Sequence, residues 1–199
     1  LSRFKVIIPK LSNSFLYHVK KNNIDYTFME NLEVFKTINN FAIVVDLDET
    51  ILDNSDYQVM LNDLKQKYNP ESWSNWVNEE KAETVPGAKK FLDNVRNLDI
   101  TIIFLSNRMD KNLLPTKRNM DRLELLSEND IFLLRLDKSD TKVVRRQEIY
   151  SSSNRMSNYP KFDIISYLGD AYGDFPKDSD ICSWGYNCHV FPNPMYGKW

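Results

Sequence analysis

Four predominantly apolar runs, each followed at once by polar residues, dominate the pattern of hydrophobic positions along the chain. They lie at 41–45, 100–105, 131–136 and 164–168. Runs of this kind, without regular alternation, are typical of strands buried on both faces of a parallel sheet. Between the first two runs an amphipathic stretch predicts a helix with one apolar stripe, formed by Ala88, Phe91, Leu92, Val95 and Leu98. This order of strands and helices predicts an α/β fold built on a doubly wound parallel sheet.

Other helices are predicted from spacing and capping residues. The stretch 11–37 has apolar residues at helical spacing and predicts two short helices before the first strand. Pro86 and Gly87 are expected to start the amphipathic helix, with the proline in its first turn. Thr116 is expected to be the N-cap of a later helix. That helix would present one apolar face, formed by Met120, Leu123 and Leu126.

The chain is predicted to form one domain over residues 1–199, with 1–37 as its N-terminal helices. A polar stretch at about 54–83 separates the first strand from the next helix and contains Trp73 and Trp76. Insertions of this length between elements are commonly functional lids. We therefore expect a small helical cap there.

Composition limits the class of protein. A chain of 199 residues with 42% hydrophobic content provides one ordinary core. The 26 basic and 28 acidic residues are well mixed and give a net charge of −2, which does not suit long nucleic acid. No apolar run approaches the length of a transmembrane segment. The spacing of Cys182 and Cys188 fits a disulfide loop as well as two free thiols.

The polar residues that follow the apolar runs suit phosphoryl transfer. Asp46 and Asp48 follow the first run, Ser106 the second and Asp170 the fourth, while Lys142 comes shortly after the third. The carboxyl ends of parallel strands share one edge of the sheet, so these side chains are expected to meet. Converging carboxylates would repel one another without a cation, and an all-oxygen site suits Mg²⁺. A carboxylate nucleophile, a second acid, a hydroxyl donor and an ammonium would then be in place.

Other phosphatase chemistries are disfavoured. A tyrosine-phosphatase loop needs an Arg six residues after its Cys, whereas Cys182 is followed there by Cys188, and Cys188 by Pro194. No Arg-His-Gly occurs, and the two histidines, His18 and His189, are far apart in the sequence. They cannot supply the ligand set of a dinuclear metallophosphatase.

The motif residues resemble a known family. Asp46-x-Asp48-x-Thr50, Ser106, Lys142 and the Asp170-x-x-x-Asp174 segment resemble the four motifs of the haloacid dehalogenase superfamily of phosphohydrolases. Within it the chain is similar to the bacterial class C acid phosphatases of the outer-membrane lipoprotein type, from about Phe41 to Trp199. The closer likeness rests on further segments at 46–55, 73–76, 85–88, 106–108, 169–175 and 192–197.

The resemblance implies a haloacid dehalogenase-like, Rossmann-type core and an Mg²⁺-dependent, four-aspartate phosphomonoesterase. It implies Asp46 as nucleophile and metal ligand, and Asp48 as acid and base with its carbonyl on the metal. Asp170 would be a further ligand, and Asp174 a ligand through water or a support.

The resemblance also implies two residues that bind the phosphate, Ser106 and a lysine. Lys142 is preferred as that lysine because Lys142-x-x-Arg145 matches the family spacing. Lys138 is the alternative.

A nucleoside monophosphate is the implied substrate, contacted by Asn54, Trp73, Asn107 and Tyr196. The rings of Trp73 and Tyr196 would hold the base between them. The implied location is outside the cytoplasm, in the periplasm, at the outer membrane or secreted. The sequence leaves open a cytoplasmic location, the oligomeric state, another small metabolite as substrate, and a non-catalytic storage or binding role.

Overall fold

The computed structural model describes residues 40–191, 193, 195 and 196. The helices predicted within 1–37 lie outside these residues. In the described part, the central sheet has five parallel strands in the order β5-β4-β1-β6-β7. Their bounds are β1 Phe41–Val45, β4 Thr101–Met109, β5 Ile131–Arg135, β6 Asp163–Gly169 and β7 Cys188–Val190. The predicted α/β fold with a parallel sheet is confirmed.

Five α-helices and a small second sheet complete the described part of the chain. The helices are α1 Ser55–Asp63, α2 Pro70–Glu79, α3 Ala88–Arg96, α4 Leu113–Arg122 and α5 Lys142–Ser151. The second sheet pairs β2 Leu52–Asp53 with β3 Glu83–Thr84 in antiparallel orientation. Among these helices, none has the length and apolar character needed to cross a bilayer.

Both faces of the central sheet are covered. Alternate residues of β1 enter two separate cores, one packed with Phe91 and Leu92 of α3, the other with Ile149 of α5 and Met156. Because side chains alternate across a strand, a strand between two layers must be apolar at every position. This explains the unbroken apolar sequence of β1.

The segment predicted as a cap contains α1 and α2, between β2 and β3. Asn69 is the N-cap of α2, its side chain accepting hydrogen bonds from the N–H groups of Glu71 and Ser72. Tyr57 and Trp76 are buried in a third apolar cluster that joins the two helices. The cap therefore has a packing core of its own.

Two predicted helix starts are wrong. Gly87 is the N-cap of α3 and has a φ of 93°, a backbone conformation that glycine adopts without strain, so Pro86 lies before the helix. Thr116 lies inside α4, not at its start, and its buried Oγ1 accepts a hydrogen bond from Arg108. Leu98 lies beyond the end of α3 and is 40% exposed, so it does not belong to the apolar stripe.

The sheet also extends beyond its predicted limits. Strand β4 does not end at Leu105 but continues to Met109, with a register shift against β5 that allows Met109 to pair with Arg135. Strand β7 was not predicted, because three residues give too short a pattern. Its first residue, Cys188, forms a disulfide with Cys182. The structure thus selects the disulfide from the two alternatives.

Candidate active site

Three carboxylates meet at the carboxyl ends of β1 and β6. One oxygen each from Asp46, Asp170 and Asp174 lies within 4.8 Å of the others, and all three residues are buried. Asp46 continues the pairing of β1 with β6, since its N–H donates to the Leu168 carbonyl at 2.8 Å. Asp170 follows β6 directly, and Asp174 ends the short 3-10 helix Tyr172–Asp174. The fold therefore gathers three of the four predicted acidic residues at one point.

Lys142 offsets part of this negative charge. Its Nζ donates to Oδ1 of Asp46 and, at 2.6 Å, to Oδ1 of Asp174. It is the first residue of α5, whose N-cap, Thr141, accepts a hydrogen bond from Val144 N–H. The lysine is buried, so the start of the helix directs an ammonium into the acidic cluster.

Lys138, the alternative lysine, has a different environment. It lies in the exposed turn after β5, where its carbonyl accepts a hydrogen bond from Arg135 at 3.1 Å. Lys142 is therefore the one of these two lysines that contacts Asp46.

The acidic cluster is electrostatically unfavourable without a cation. Burial raises the pKa of the Asp46 carboxyl well above its ordinary value; Lys142 opposes this, and the carboxylates of Asp174 and Asp170 add to the rise. Burial likewise raises the pKa of Asp170 to about 6. A hard divalent cation bound by these oxygens would remove that penalty.

Asp48 has a separate set of partners. Its carboxylate accepts hydrogen bonds from Arg108 Nη2 at 2.8 Å, from Asn54 Nδ2 at 3.0 Å and from Ser106 Oγ at 3.4 Å. The carboxylate therefore lies outside the acidic cluster. A contact between its main-chain carbonyl and a metal stays a prediction.

The turn after β1 makes this division possible. Glu49 adopts a left-handed conformation with a φ of 57°, and the Leu47 carbonyl accepts hydrogen bonds from the N–H groups of Ile51 and Leu52. The chain folds back on itself so that Asp46 and Asp48 face different partners.

Asn54 lies behind Asp48. Its side chain is fully buried, and its Oδ1 accepts hydrogen bonds from Trp76 Nε1 at 3.0 Å and from Arg108 Nη2 at 3.3 Å. Its Nδ2 donates to Asp48, and Asn54 is not among the residues that line the cavity beside the carboxylates, although substrate contact was predicted for it.

The end of β4 is held by Arg145. This fully buried residue donates to the carbonyls of Ser106 and Leu133 and, at 2.7 Å, to Oδ1 of Asn107. The next residue, Arg146, is buried as well and donates to the main-chain carbonyl of Gly173 at 3.0 Å. Asn107 reaches the cavity, whereas Ser106 is buried.

A cavity of about 480 Å³ opens above these groups, a volume within the range of small-ligand sites. Acidic, basic, polar and aromatic side chains share its wall: Asp46, Asp48, Gln58, Tyr68, Trp73, Asn107, Arg108, Arg135, Lys142, Asp170, Ala171, Asp174 and Tyr196. The carboxylate cluster and the cap helices therefore face one space.

Three aromatic residues lie on this wall. Trp73 and Tyr196 were predicted, and Tyr68 joins them, with its ring centroid 6.4 Å from that of Trp73. The Tyr196 hydroxyl donates to Glu49, a carboxyl whose pKa burial and Asp48 raise to about 7.

Sequence reasoning missed several polar residues of the site. Arg108 was noted only as part of the motif segment 106–108, although it lies within β4 and pairs with Asp48. Asn193 was likewise noted only within the segment 192–197, yet it is buried and donates to Asp170. Arg145 was noted for its spacing to Lys142 but not for its hydrogen bonds to the end of β4.

Comparisons with known proteins agree with this geometry. A family model described as HAD superfamily, subfamily IIIB (Acid phosphatase), matches residues 12–199, so the likeness begins well before Phe41, where the motifs placed it. The class C acid phosphatase from Bacillus anthracis is 27% identical with a TM-score of 0.65, covering 97% of this chain and 87% of that chain. Its structure with tungstate bound is 28% identical, also with a TM-score of 0.65, covering 96% and 79%.

A plant protein is more distantly similar. The stem 31 kDa glycoprotein of Glycine max is 24% identical over 163 residues, which is 79% of this chain. The chain spans 60% of the length of that curated relative.

Proposed function

The chain belongs to the acid phosphatase subfamily IIIB of the HAD superfamily, and on this premise we propose that it hydrolyses phosphomonoesters through an aspartyl-phosphate formed on Asp46. The likeness to class C acid phosphatases inferred from the motifs is confirmed. One observation supports the proposed activity above all others. Asp46 lies at the base of the cavity in contact with Lys142 and beside two further carboxylates.

We propose Mg²⁺ as the cofactor. The donor set fits it, because the carboxylates of Asp46, Asp170 and Asp174 offer only oxygen and lie within 4.8 Å of one another. Among the described residues, a single ammonium, from Lys142, pairs with this cluster. These three residues and the carbonyl of Asp48 would hold the ion. When bound, it would neutralise phosphate charge and favour the charge distribution of the transition state.

In the first half-reaction a carboxylate oxygen of Asp46 attacks phosphorus, and the ester P–O bond breaks. Asp48 gives its proton to the leaving oxygen, so that the alcohol departs neutral. Lys142 contributes positive charge beside the nucleophile. In the second half-reaction Asp48 takes a proton from water, which attacks the phosphorus, releases inorganic phosphate and restores both carboxyl groups.

Nucleoside 5'-monophosphates are the proposed substrate class. Trp73, Tyr68 and Tyr196 line the same cavity as Asp46, so a base could contact these rings while its phosphate reaches the carboxylates. Stacking on such rings is worth about 1–3 kcal/mol per base. Asn107, held by Arg145, offers a polar contact between the two regions.

We also propose that the protein acts outside the cytoplasm. The disulfide between Cys182 and Cys188 supports this location, because disulfides persist in oxidising compartments.

A phosphate-release assay tests the proposal. Nucleoside monophosphates, sugar phosphates and aryl phosphates are compared from about pH 4 to about pH 8, with Mg²⁺ and with EDTA, using the wild type and Asp46→Asn. Mg²⁺-dependent release that favours nucleotides at acidic pH is expected. Release confined to another metabolite would retain the Asp46 chemistry and reject the nucleotide assignment. No release from any substrate would reject the phosphatase and favour a binding or storage role.

A further inference from the structure

Arg108 is a buried cation that forms hydrogen bonds with the carboxylate of Asp48. It is 1% exposed, although it forms part of the cavity wall. Its Nε and Nη2 both donate to Oδ1 of Asp48, at 3.0 and 2.8 Å. Because Nε also lies 3.3 Å from Oδ2, the rigid, planar guanidinium contacts both carboxylate oxygens and fixes the position and the tilt of the carboxylate.

The guanidinium is itself held from several sides. Nη1 donates to Oγ1 of Thr116 in α4 at 3.2 Å, and Nη2 donates to Oδ1 of Asn54 at 3.3 Å. Trp73 of the cap lies over the group, with its ring centroid 5.8 Å from Cζ. The Arg108 side chain therefore cannot move without losing contacts to Asn54, α4 and the cap, which makes it a rigid support for Asp48.

The two carboxylate oxygens of Asp48 differ in their hydrogen bonds. Oδ1 accepts the short hydrogen bonds from Arg108 and a third from Asn54 at 3.0 Å. Oδ2 receives longer contacts, 3.3 Å from Arg108 Nε and 3.4 Å from Ser106 Oγ. Since Oδ1 is fully used as an acceptor, Oδ2 is the oxygen left to carry a proton.

We propose that Arg108 is a positioning residue that holds Oδ1 of Asp48, so that Oδ2 exchanges the proton with the leaving oxygen of the substrate. This inference rests on the proposed phosphatase function. It adds a residue that acts through Asp48 without contacting the reacting atoms. Loss of Arg108 should slow the reactions that depend most on protonation of the leaving group. Loss of a residue needed only for folding would slow all substrates alike.

Two esters of similar shape test this role. The kcat/KM for phenyl phosphate and for 4-nitrophenyl phosphate is measured for the wild type, Arg108→Gln and Arg108→Lys. Phenol is the poorer leaving group and needs the proton more. General acid assistance is typically worth about 100- to 10,000-fold, so Arg108→Gln is expected to lose about 10-fold more on phenyl phosphate than on the nitro ester.

Arg108→Lys keeps the positive charge but replaces the two guanidinium donors with one ammonium. Its extra loss of kcat/KM on phenyl phosphate should therefore be smaller than that of Arg108→Gln. If Arg108→Gln does not fold, Arg108→Lys provides the same comparison between the two esters.

Arg155→Gln is the matched control. Arg155 also pairs with carboxylates, donating to Asp140 at 3.0 Å and to Glu148 at 2.8 Å, but it does not line the cavity. Its loss should lower the melting temperature without changing the ratio of kcat/KM between the two esters. A second comparison uses Asp48→Asn, alone and combined with Arg108→Gln, and the double variant should equal the single Asp48 variant.

The possible results distinguish the positioning role of Arg108 from the proposed phosphatase function. A larger loss on phenyl phosphate, together with no further loss in the double variant, supports the positioning role. Equal losses on both esters, or losses that simply follow the melting temperature as in the Arg155 control, would overturn it. A wild-type protein that hydrolyses neither these esters nor any nucleoside monophosphate would overturn the proposed function together with this inference.

Discussion

Asn193 donates a hydrogen bond from Nδ2 to Oδ2 of Asp170 at 2.9 Å, within the buried end of the acidic cluster. The Oδ1 of the same amide accepts from the N–H groups of Met195 and Tyr196, at 2.8 and 3.2 Å. One side chain thus joins a candidate metal ligand to the segment that carries a cavity aromatic.

Asn193→Ala is expected to weaken Mg²⁺ binding. Partners that orient a ligating carboxylate typically contribute about 10- to 100-fold to metal affinity. Titration calorimetry with MgCl₂ measures the change directly and needs no substrate. Asn187→Ala is the matched control, since the Asn187 side chain accepts from Ser183 N–H and donates to the Ile181 carbonyl, and neither partner belongs to the acidic cluster. Equal affinity in the Asn193 variant and the wild type would contradict the assignment of Asp170 as a supported ligand.

Asp46→Asn is expected to reduce turnover by at least about 1,000-fold, because an amide cannot act as the nucleophile. The fold should persist, since burial already disfavours charge at this position, as the raised pKa of Asp46 shows. Activity and melting temperature are measured together, with the exposed Asp121→Asn as control. Retained turnover would refute the aspartyl-phosphate mechanism.

Lys142→Ala is expected to lower kcat by about 100-fold or more, the usual cost of removing a group that stabilises transition-state charge. Lys138→Ala should change kcat less than about two-fold, because Lys138 is exposed in the turn after β5. Steady-state assays on one aryl phosphate compare the two variants. A larger effect at Lys138 would reverse the choice between the lysines.

Trp73→Ala is expected to reduce kcat/KM for a nucleoside 5'-monophosphate about 5-fold or more beyond its effect on a sugar phosphate, since only the nucleotide loses base stacking. Trp184→Ala is a control, because this exposed tryptophan packs on Phe175 and does not line the cavity. Equal losses on both substrates would count against an aromatic base site.

Asp140→Asn tests an ion pair between residues that do not line the cavity. Burial raises the pKa of Asp140, but hydrogen bonds from Arg155 and Leu136 outweigh it and lower the pKa below 3.8. A carboxyl with a lowered folded-state pKa stabilises the protein above its unfolded pKa and ceases to do so as the pH falls through the folded value.

The substitution should therefore lower the free energy of unfolding by about 2 kcal/mol at neutral pH, and the difference should shrink below about pH 4. Urea denaturation of the wild type and the variant, at neutral pH and below about pH 4, measures this difference in the free energy of unfolding. A constant difference across this range would contradict a role for the ionised carboxylate.

The order of apolar and polar residues was sufficient to predict the sheet and the edge that carries its chemistry. The apolar runs of β1, β4, β5 and β6 could be recognised because a strand buried on both faces is apolar on both. Their polar ends could be assigned to one edge because parallel strands share a direction. Asp46 and Asp170 were therefore identifiable as neighbours, although 124 positions separate their numbers.

The polar residues that support that edge could be identified from the folded structure but not from the sequence. Arg108, Arg145 and Asn193 are buried because distant parts of the chain supply their partners, and local spacing contains no information about such contacts. The same holds for Thr116, which was predicted to be an N-cap. It lies inside a helix, and its hydroxyl accepts a hydrogen bond from Arg108. Local patterns reflect alternation and capping within a few residues, whereas a buried polar group depends on whatever the fold places beside it.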